Sequence, residues 1–248
     1  MQLYELRDYI ESLLEVGAFR DYCPNGLQVE GKTEVQRIAT AVTASQDALE
    51  AATNWGADAL IVHHGYFWRG EAPNLVGIKK RRIEHLLKHE MSLLAYHLPL
   101  DAHPELGNNA QLASYLGLGK EGAFGEQKIA CFGQLQPQMT LAQFASRLSE
   151  ELGQAPQVIG IPDGPVKRVA WCSGAAQDYF EEAVMLGVDV FLTGEISERN
   201  VHLARETGVA FVAAGHYATE RFGVRALGNH LARRFGLEHH FIEQDCPV

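Results

Sequence analysis

The sequence predicts an α/β protein: two pseudo-repeated βαβ-type halves forming one mainly parallel sheet core, with a small α+β insert between them. Three observations lead there. Apolar runs of strand length alternate with segments of helical periodicity. Several of those runs end abruptly in histidine, acidic or glycine residues. The chain also repeats itself: residues 37–65 lie over residues 168–196 without a gap, at a constant shift of 131.

Taken in order, residues 2–16 place Leu3, Leu6, Tyr9, Ile10, Leu13 and Leu14 at helical spacing. Asp21-Tyr22-Cys23-Pro24-Asn25-Gly26 is a turn cluster, and residues 27–29 predict a short strand. Residues 37–43 predict the first core strand. Ser45 is a good N-cap for a helix that Gly56 ends, and a strand to Val62 completes a βαβ unit. A basic helix over 78–88 and a strand over 92–96 follow. Pro99 and Pro104 argue against a regular helix over 98–104, and residues 109–116 are helical. Residues 119–125 read as a glycine-rich linker. Beyond it come a strand over 129–135, a helix over 141–152 capped by Thr140, and a strand over 157–161. The resulting division is a duplicated core over 1–122 and 165–248 and an inserted lobe over 123–164.

The repeat carries chemistry. Within it Arg37/Arg168, Asp47/Asp178, Gly56/Gly187 and Asp58/Asp189 coincide, and His63-His64 falls on Gly194-Glu195. A second block aligns at a shift of 119, laying His97-x-x-x-Asp101 over His216-x-x-x-Glu220. Each of these places follows an apolar strand, and ligands of open α/β sheets bind at the carboxyl ends of strands. Neutral imidazole is the commonest transition-metal ligand. Imidazoles and carboxylates from both halves are therefore expected to converge and hold two divalent ions, with one carboxylate bridging. In the second half the predicted helix begins at Thr219, with His216 in the turn before it. His85 and His89 share a helix with Arg81, Arg82 and Lys88 and are read as solvated; His239-His240 is read as lying near a mobile terminus.

Composition narrows the function classes. Lys+Arg number 21 against 31 Asp+Glu, a formal net charge of −10, which argues against nucleic acid as a partner. No run approaches the ~20 apolar residues of a membrane helix, and no signal peptide is evident. The four cysteines are scattered without a C-x-x-C pair. A cytoplasmic protein with no membrane association is the expectation.

Five stretches (PNGLQVEG at 24–31, GADALIVHHGYFW at 56–68, HLPLDAHPELGNNAQLA at 97–113, FLTGE at 191–195 and GHYATER at 215–221) together give a resemblance to a family of dinuclear-metal-centre proteins. Its bacterial members are labelled type 2 homologues of GTP cyclohydrolase I, and the likeness is to the short form. The resemblance implies metal ligands at His63, His64, Asp101, His216 and Glu220, two ions per subunit, and a toroidal homohexamer. His97 and Glu195, the repeat-mates of His216 and His64, are assigned to substrate contact or to orienting ligands or moving protons, with direct metal ligation as the alternative for either. His plus carboxylate suits Fe, Zn, Mn, Co or Ni.

Two adjacent ions can activate water and polarise a substrate, and no serine or cysteine nucleophile with a paired base is evident. The leading expectation is a metal-dependent hydrolase acting on a small, nucleotide-like molecule; the family label points to opening of the imidazole ring of GTP. With no Walker-type loop, Arg69, Arg221 or Lys79 would meet a triphosphate. The rival readings are a metal-dependent phosphoester or amide hydrolase and a non-catalytic metal-binding scaffold.

Overall fold

The computed structural model describes residues 1–248 and divides into two compact units, Met1–Leu100 with Gly223–Asp245, and Asp101–Phe222 with Cys246–Val248. The first contains helices α1 (Leu3–Leu13), α2 (Gln46–Trp55) and α3 (Gly77–Lys88). Its strands are β1 (Gly26–Val29), β2 (Arg37–Thr43), β3 (Ala59–His64), β4 (Ser92–Ala95) and β11 (Glu238–Phe241). They form a five-stranded sheet of order β1-β4-β3-β2-β11, parallel except for β1. Ser45 caps α2 by accepting from the Ala48 N–H, and Gly56 ends it in the left-handed conformation.

The second unit contains β5 (Leu118–Phe124), β6 (Ala130–Thr140), β7 (Gln157–Ile159), β8 (Pro165–Trp171), β9 (Val190–Thr193) and β10 (Ala210–Ala213). They form a six-stranded sheet of order β5-β6-β8-β9-β10-β7, whose centre β8-β9-β10 is parallel. Helices α5 (Asn108–Leu116), α6 (Leu141–Leu152), α7 (Phe180–Met185) and α8 (Glu198–Thr207) belong to it. The unit boundary falls within α4 (Leu98–Ala102) and α9 (His216–Phe235). Alternation along the central strands packs both faces: Val169, Trp171, Val190, Leu192 and Val212 join one buried cluster, and Ala170, Phe191 and Phe211 the other.

The α/β class and the pseudo-repeat hold, but the strands make two sheets rather than one. The edges decide this. Beside the parallel triplet β2-β3-β4 the outer positions are taken by β1 and β11, and beside β8-β9-β10 by β6 and β7. Of residues 119–125, expected to be a linker, 119–124 lie in strand β5, whose pairing with β6 supplies the order that the sequence GKEGAF lacks by propensity. Both strands that lie within 123–164, β6 and β7, are hydrogen-bonded into the second sheet. Pro99 does not break α4, because it sits in the first turn, where its missing N–H has no helical partner to lose. The expected mobile terminus is strand β11, and His239 bonds Thr40 Oγ1 at 2.9 Å and Asn229 Oδ1 at 3.0 Å. His85, expected to be solvated, bonds Thr53 Oγ1 at 2.8 Å, while His89 is exposed.

The two units repeat one hydrogen-bond clamp. Asp58 Oδ2 accepts from the Gln36 and Arg37 N–H groups, and Asp189 Oδ2 from those of Lys167 and Arg168. The register Ile38↔Ala59 reappears as Val169↔Val190, at the shift of 131. The next strand repeats at 118, since the Ser92 N–H bonds the Asp58 carbonyl as the Ala210 N–H bonds that of Asp189. The shift of 119 that aligns His97 with His216 therefore includes one extra residue in the second half. Gly215, at φ +96°, stands just before His216, so the alignment of the strands themselves is corrected by one position. Asp58→Ala and Asp189→Ala are each expected to cost about 1.5–3 kcal/mol, since each strips a charged acceptor from two backbone donors. Urea unfolding checks this; the clamp account requires similar losses at the two positions.

Candidate metal centre

In the first unit β3 carries its apolar run directly into His63 and His64. His63 is fully buried, His64 half-buried. Both belong to the strand, yet their ring centroids lie 4.6 Å apart. Gly65 follows; a Cβ there would strike the Gln28 amide oxygen and lie 2.6 Å from Ala95 Cβ. His97, after β4, lies 4.9 Å from His63 and 5.8 Å from His64 between ring centroids. A ligand atom from each of the three falls within 4.8 Å of the others, a cluster that can hold a metal ion.

Each ring is held by Nδ1. His63 Nδ1 donates to the Tyr96 carbonyl at 3.0 Å, His64 Nδ1 lies 3.2 Å from Thr43 Oγ1, and His97 Nδ1 meets Asp21 Oδ1 at 2.8 Å. That makes Nε2 the atom a cation would use. Cys23 shares a possible cluster with Asp21 and His97. Burial first, and then the Asp21 charge, push its thiol up to about 12. In metal-free protein it is therefore a protonated thiol near neutral pH. Burial alone would raise the Asp21 carboxyl, but hydrogen bonds and charge from His97, then Asn25 and the Tyr22 N–H, bring it down to about 2.

The second unit carries the acidic groups. α9 begins at His216 itself, earlier than the sequence predicts, which places Glu220 one turn on. His216 Nε2 lies 3.0 Å from Glu220 Oε2, and its Nδ1 lies 2.7 Å from Glu195 Oε1. Glu220 is 3% exposed. Asp101, on α4, is buried, and its Oδ1 accepts from Asn108 Nδ2 at 2.9 Å and Ser173 Oγ at 3.1 Å. One oxygen each of Asp101 and Glu220 falls within 4.8 Å of the other. Gly174, at φ +68°, leaves room for this set: a Cβ there would fall on Glu220 Oε1 and lie 3.3 Å from His216 Nε2. Imidazole and carboxylate without thiolate, with a backbone hollow kept beside them, fit a hard or borderline divalent ion.

One supporting residue carries no mark in the sequence. Asn109 accepts from the Ser173 N–H, donates to the Asp101 and Ile129 carbonyls, and its own carbonyl takes the Trp171 indole N–H. Nothing in its local sequence distinguished it from a helix start. A cavity of about 250 Å³ lies here, lined in part by Asp101, His103, Asn109, Lys120, Cys131 and Trp171. The three cations considered for a triphosphate are engaged internally. Lys79 bonds the Ala72 carbonyl and pairs with Glu71, Arg69 donates to the Asp21 carbonyl, and Arg221 donates to the Glu151 carbonyl.

His216 gives a pH prediction for metal-free protein. Burial alone would lower its pKa; hydrogen bonds and charge from Glu220, then Glu195, outweigh it and raise the value to about 9. That lies above the ~6.5 of an unfolded imidazole. The stabilisation is therefore fully present below pH ~6.5 and lost as pH rises through the folded value; it amounts to at most about 3 kcal/mol. Denaturant midpoints of chelator-treated protein are expected to fall across that window. In Glu220→Gln the fall should be smaller; an equal fall would contradict the assignment.

Two α/β units that each gather imidazoles or carboxylates at the carboxyl ends of parallel strands define a protein with sites able to bind metal ions. The comparisons with known proteins agree on its kind. The model of the family Duf34/NIF3 (NGG1p interacting factor 3) matches residues 1–247, and the chain belongs to that family. The GTP cyclohydrolase 1 type 2 homolog of Pseudomonas aeruginosa is 51% identical over 248 residues, covering 99% of this chain and 97% of the relative. Among solved structures, the protein ybgI, described as of unknown function, superposes with a TM-score of 0.96 at 47% identity over 100% of both chains. A Thermus thermophilus protein, TTHA1606, does so with a TM-score of 0.89 at 38% identity, again over 100% of both. No helix is long and apolar enough to cross a membrane.

Proposed function

We propose that the protein is a dinuclear metal-dependent hydrolase acting on a small, nucleotide-like molecule. In this reading His63, His64, Asp101, His216 and Glu220 hold two divalent ions, of Fe, Zn, Mn, Co or Ni. We assign these ligands to the duplicated halves 1–122 and 165–248, with 123–164 as an addition to that scaffold. The observation that carries the proposal is the makeup of the two clusters: imidazoles steadied through Nδ1 and buried carboxylates. Structural zinc sites are closed and sulfur-rich, whereas His and carboxylate sets leave positions for water or substrate.

When bound, such ions would supply Lewis acidity and lower the pKa of water. The chain's own residues do the rest. Glu195 orients His216 through Nδ1, Asn108 and Ser173 fix the Asp101 carboxylate, and His97 stands where it can take or give a proton. The cavity beside Asp101, at about 250 Å³, suits a compact substrate. The relatives' name points to GTP and ring opening, and the internal engagement of Lys79, Arg69 and Arg221 weighs toward a ligand with less phosphate.

Leu75, Val76, Ile78 and Leu87 are each more than half exposed, apolar surface of the kind that association covers; this supports a homo-oligomer, and the toroidal hexamer is the form that the family resemblance implies. The four cysteines form no disulfide, in keeping with a cytoplasmic setting. The test is turnover by metal-loaded protein against a chelated control, on GTP, nucleoside monophosphates, p-nitrophenyl phosphate and dipeptides. Metal-dependent release of a hydrolysis product from any of them supports the proposal. If every substrate stays intact while the ions are tightly bound, the protein is a metal-binding scaffold instead.

A further inference from the structure

Asp21 lies in the turn Asp21-Tyr22-Cys23-Pro24-Asn25 ahead of β1, far in sequence from any histidine, with its side chain 4% exposed. Its carboxylate accepts four hydrogen bonds. Oδ1 takes the Tyr22 N–H at 2.6 Å and His97 Nδ1 at 2.8 Å; Oδ2 takes Asn25 Nδ2 at 2.8 Å and the Leu98 N–H at 3.0 Å. Asn25 Oδ1 in turn accepts the His97 backbone N–H at 2.7 Å. One turn therefore clamps both the ring and the backbone of His97.

We infer that Asp21 is the positioning residue of the site: it fixes His97 as the Nδ1–H tautomer, so that the basic Nε2 lone pair is the one presented to His63 and His64. An ionised carboxylate can only accept, so the bond to His97 requires the proton on Nδ1. Which nitrogen carries the proton is set by the hydrogen bond the other ring atom makes. The ring cannot turn over to exchange its nitrogens without breaking that bond. Trp68 also meets the ring edge-on, with centroids 5.0 Å apart and planes at 84°. His97 then offers a proton acceptor whose direction is set before any ligand arrives. This deepens the proposed function and rests on it for its use, though not for its geometry.

The rival is a plain turn clamp, in which the carboxylate organises residues 21–25 and the imidazole bond is incidental. Nitrogen-15 NMR of the histidine side chains in full-length, metal-free protein at neutral pH separates the two. Wild type is expected to show neutral His97 as the Nδ1–H tautomer. Asp21→Ala should convert most of it to Nε2–H, while Asn25→Ala, which leaves the carboxylate in place, should keep Nδ1–H. A wild-type His97 in the Nε2–H form overturns the inference even if no variant folds. So does an Asp21→Ala protein that folds with the tautomer unchanged. Titration of wild type with Fe²⁺, Zn²⁺, Mn²⁺, Co²⁺ and Ni²⁺ keeps the two proposals apart. Failure to take up any of them removes the metal reading and leaves the tautomer result standing; uptake with an Asp21-independent tautomer removes the inference alone.

Discussion

Alanine in place of Glu220 is expected to abolish tight uptake of transition metal, lowering affinity by more than the roughly 10–100-fold that loss of an outer-shell partner costs. Glu220 is the acidic group through which the second unit's set is joined. It pairs with His216 at 3.0 Å and has an oxygen within 4.8 Å of an Asp101 oxygen. It is also nearly inaccessible, so no neighbouring surface carboxylate can take its place. Mn²⁺ or Zn²⁺ titration by calorimetry checks the prediction, with Glu220→Gln as the variant that keeps side-chain volume. Both substitutions should lose the metal; retention of wild-type affinity in either would show that the ions, if any, are held elsewhere.

The second large effect belongs to Gly174. Its backbone is left-handed, and a methyl group built on it falls on the Glu220 carboxylate, 3.0 Å from its Cδ. Gly174→Ala is therefore expected to carry two penalties. Left-handed backbone costs a residue with a side chain roughly 1–2 kcal/mol, and the carboxylate must also leave its place beside His216. Gly153 supplies the control. It too is left-handed, at φ +75°, but nothing lies within 4 Å of a Cβ there. Gly153→Ala should lose stability and keep metal affinity, whereas Gly174→Ala should lose both. Thermal unfolding with metal titration reads the two effects separately, and equal behaviour of the pair would mean that the hollow at Gly174 has no bearing on the ligands.

The candidate site was legible where its residues announce themselves by type and by repetition. His63-His64 at a strand end, and the paired spacings at His97 and His216, needed only the strand pattern and the duplication. Helix ends were legible for the same local reason: Ser45 and Thr140 cap α2 and α6 as their side chains predict. What sequence hid is what depends on distant partners. β5 is strand only because β6 lies beside it, and the separation into two sheets depends on which strands occupy the edges. Asp21 reads as an ordinary turn residue until His97, 76 positions later, is folded against it. Gly215, the one-residue insertion, is invisible to an alignment that matches histidine to histidine. Pro99 lies in the first turn of α4, where the rule that proline breaks a helix interior does not hold.

Anomalous X-ray scattering from crystals of gently purified protein, paired with elemental analysis, tests most directly the proposed binding of two ions by the five side chains. Two transition-metal peaks per chain, within bonding distance of His63, His64, Asp101, His216 and Glu220, are predicted. Peaks lying elsewhere, or no bound metal even after soaking with Mn²⁺ or Zn²⁺, would contradict it.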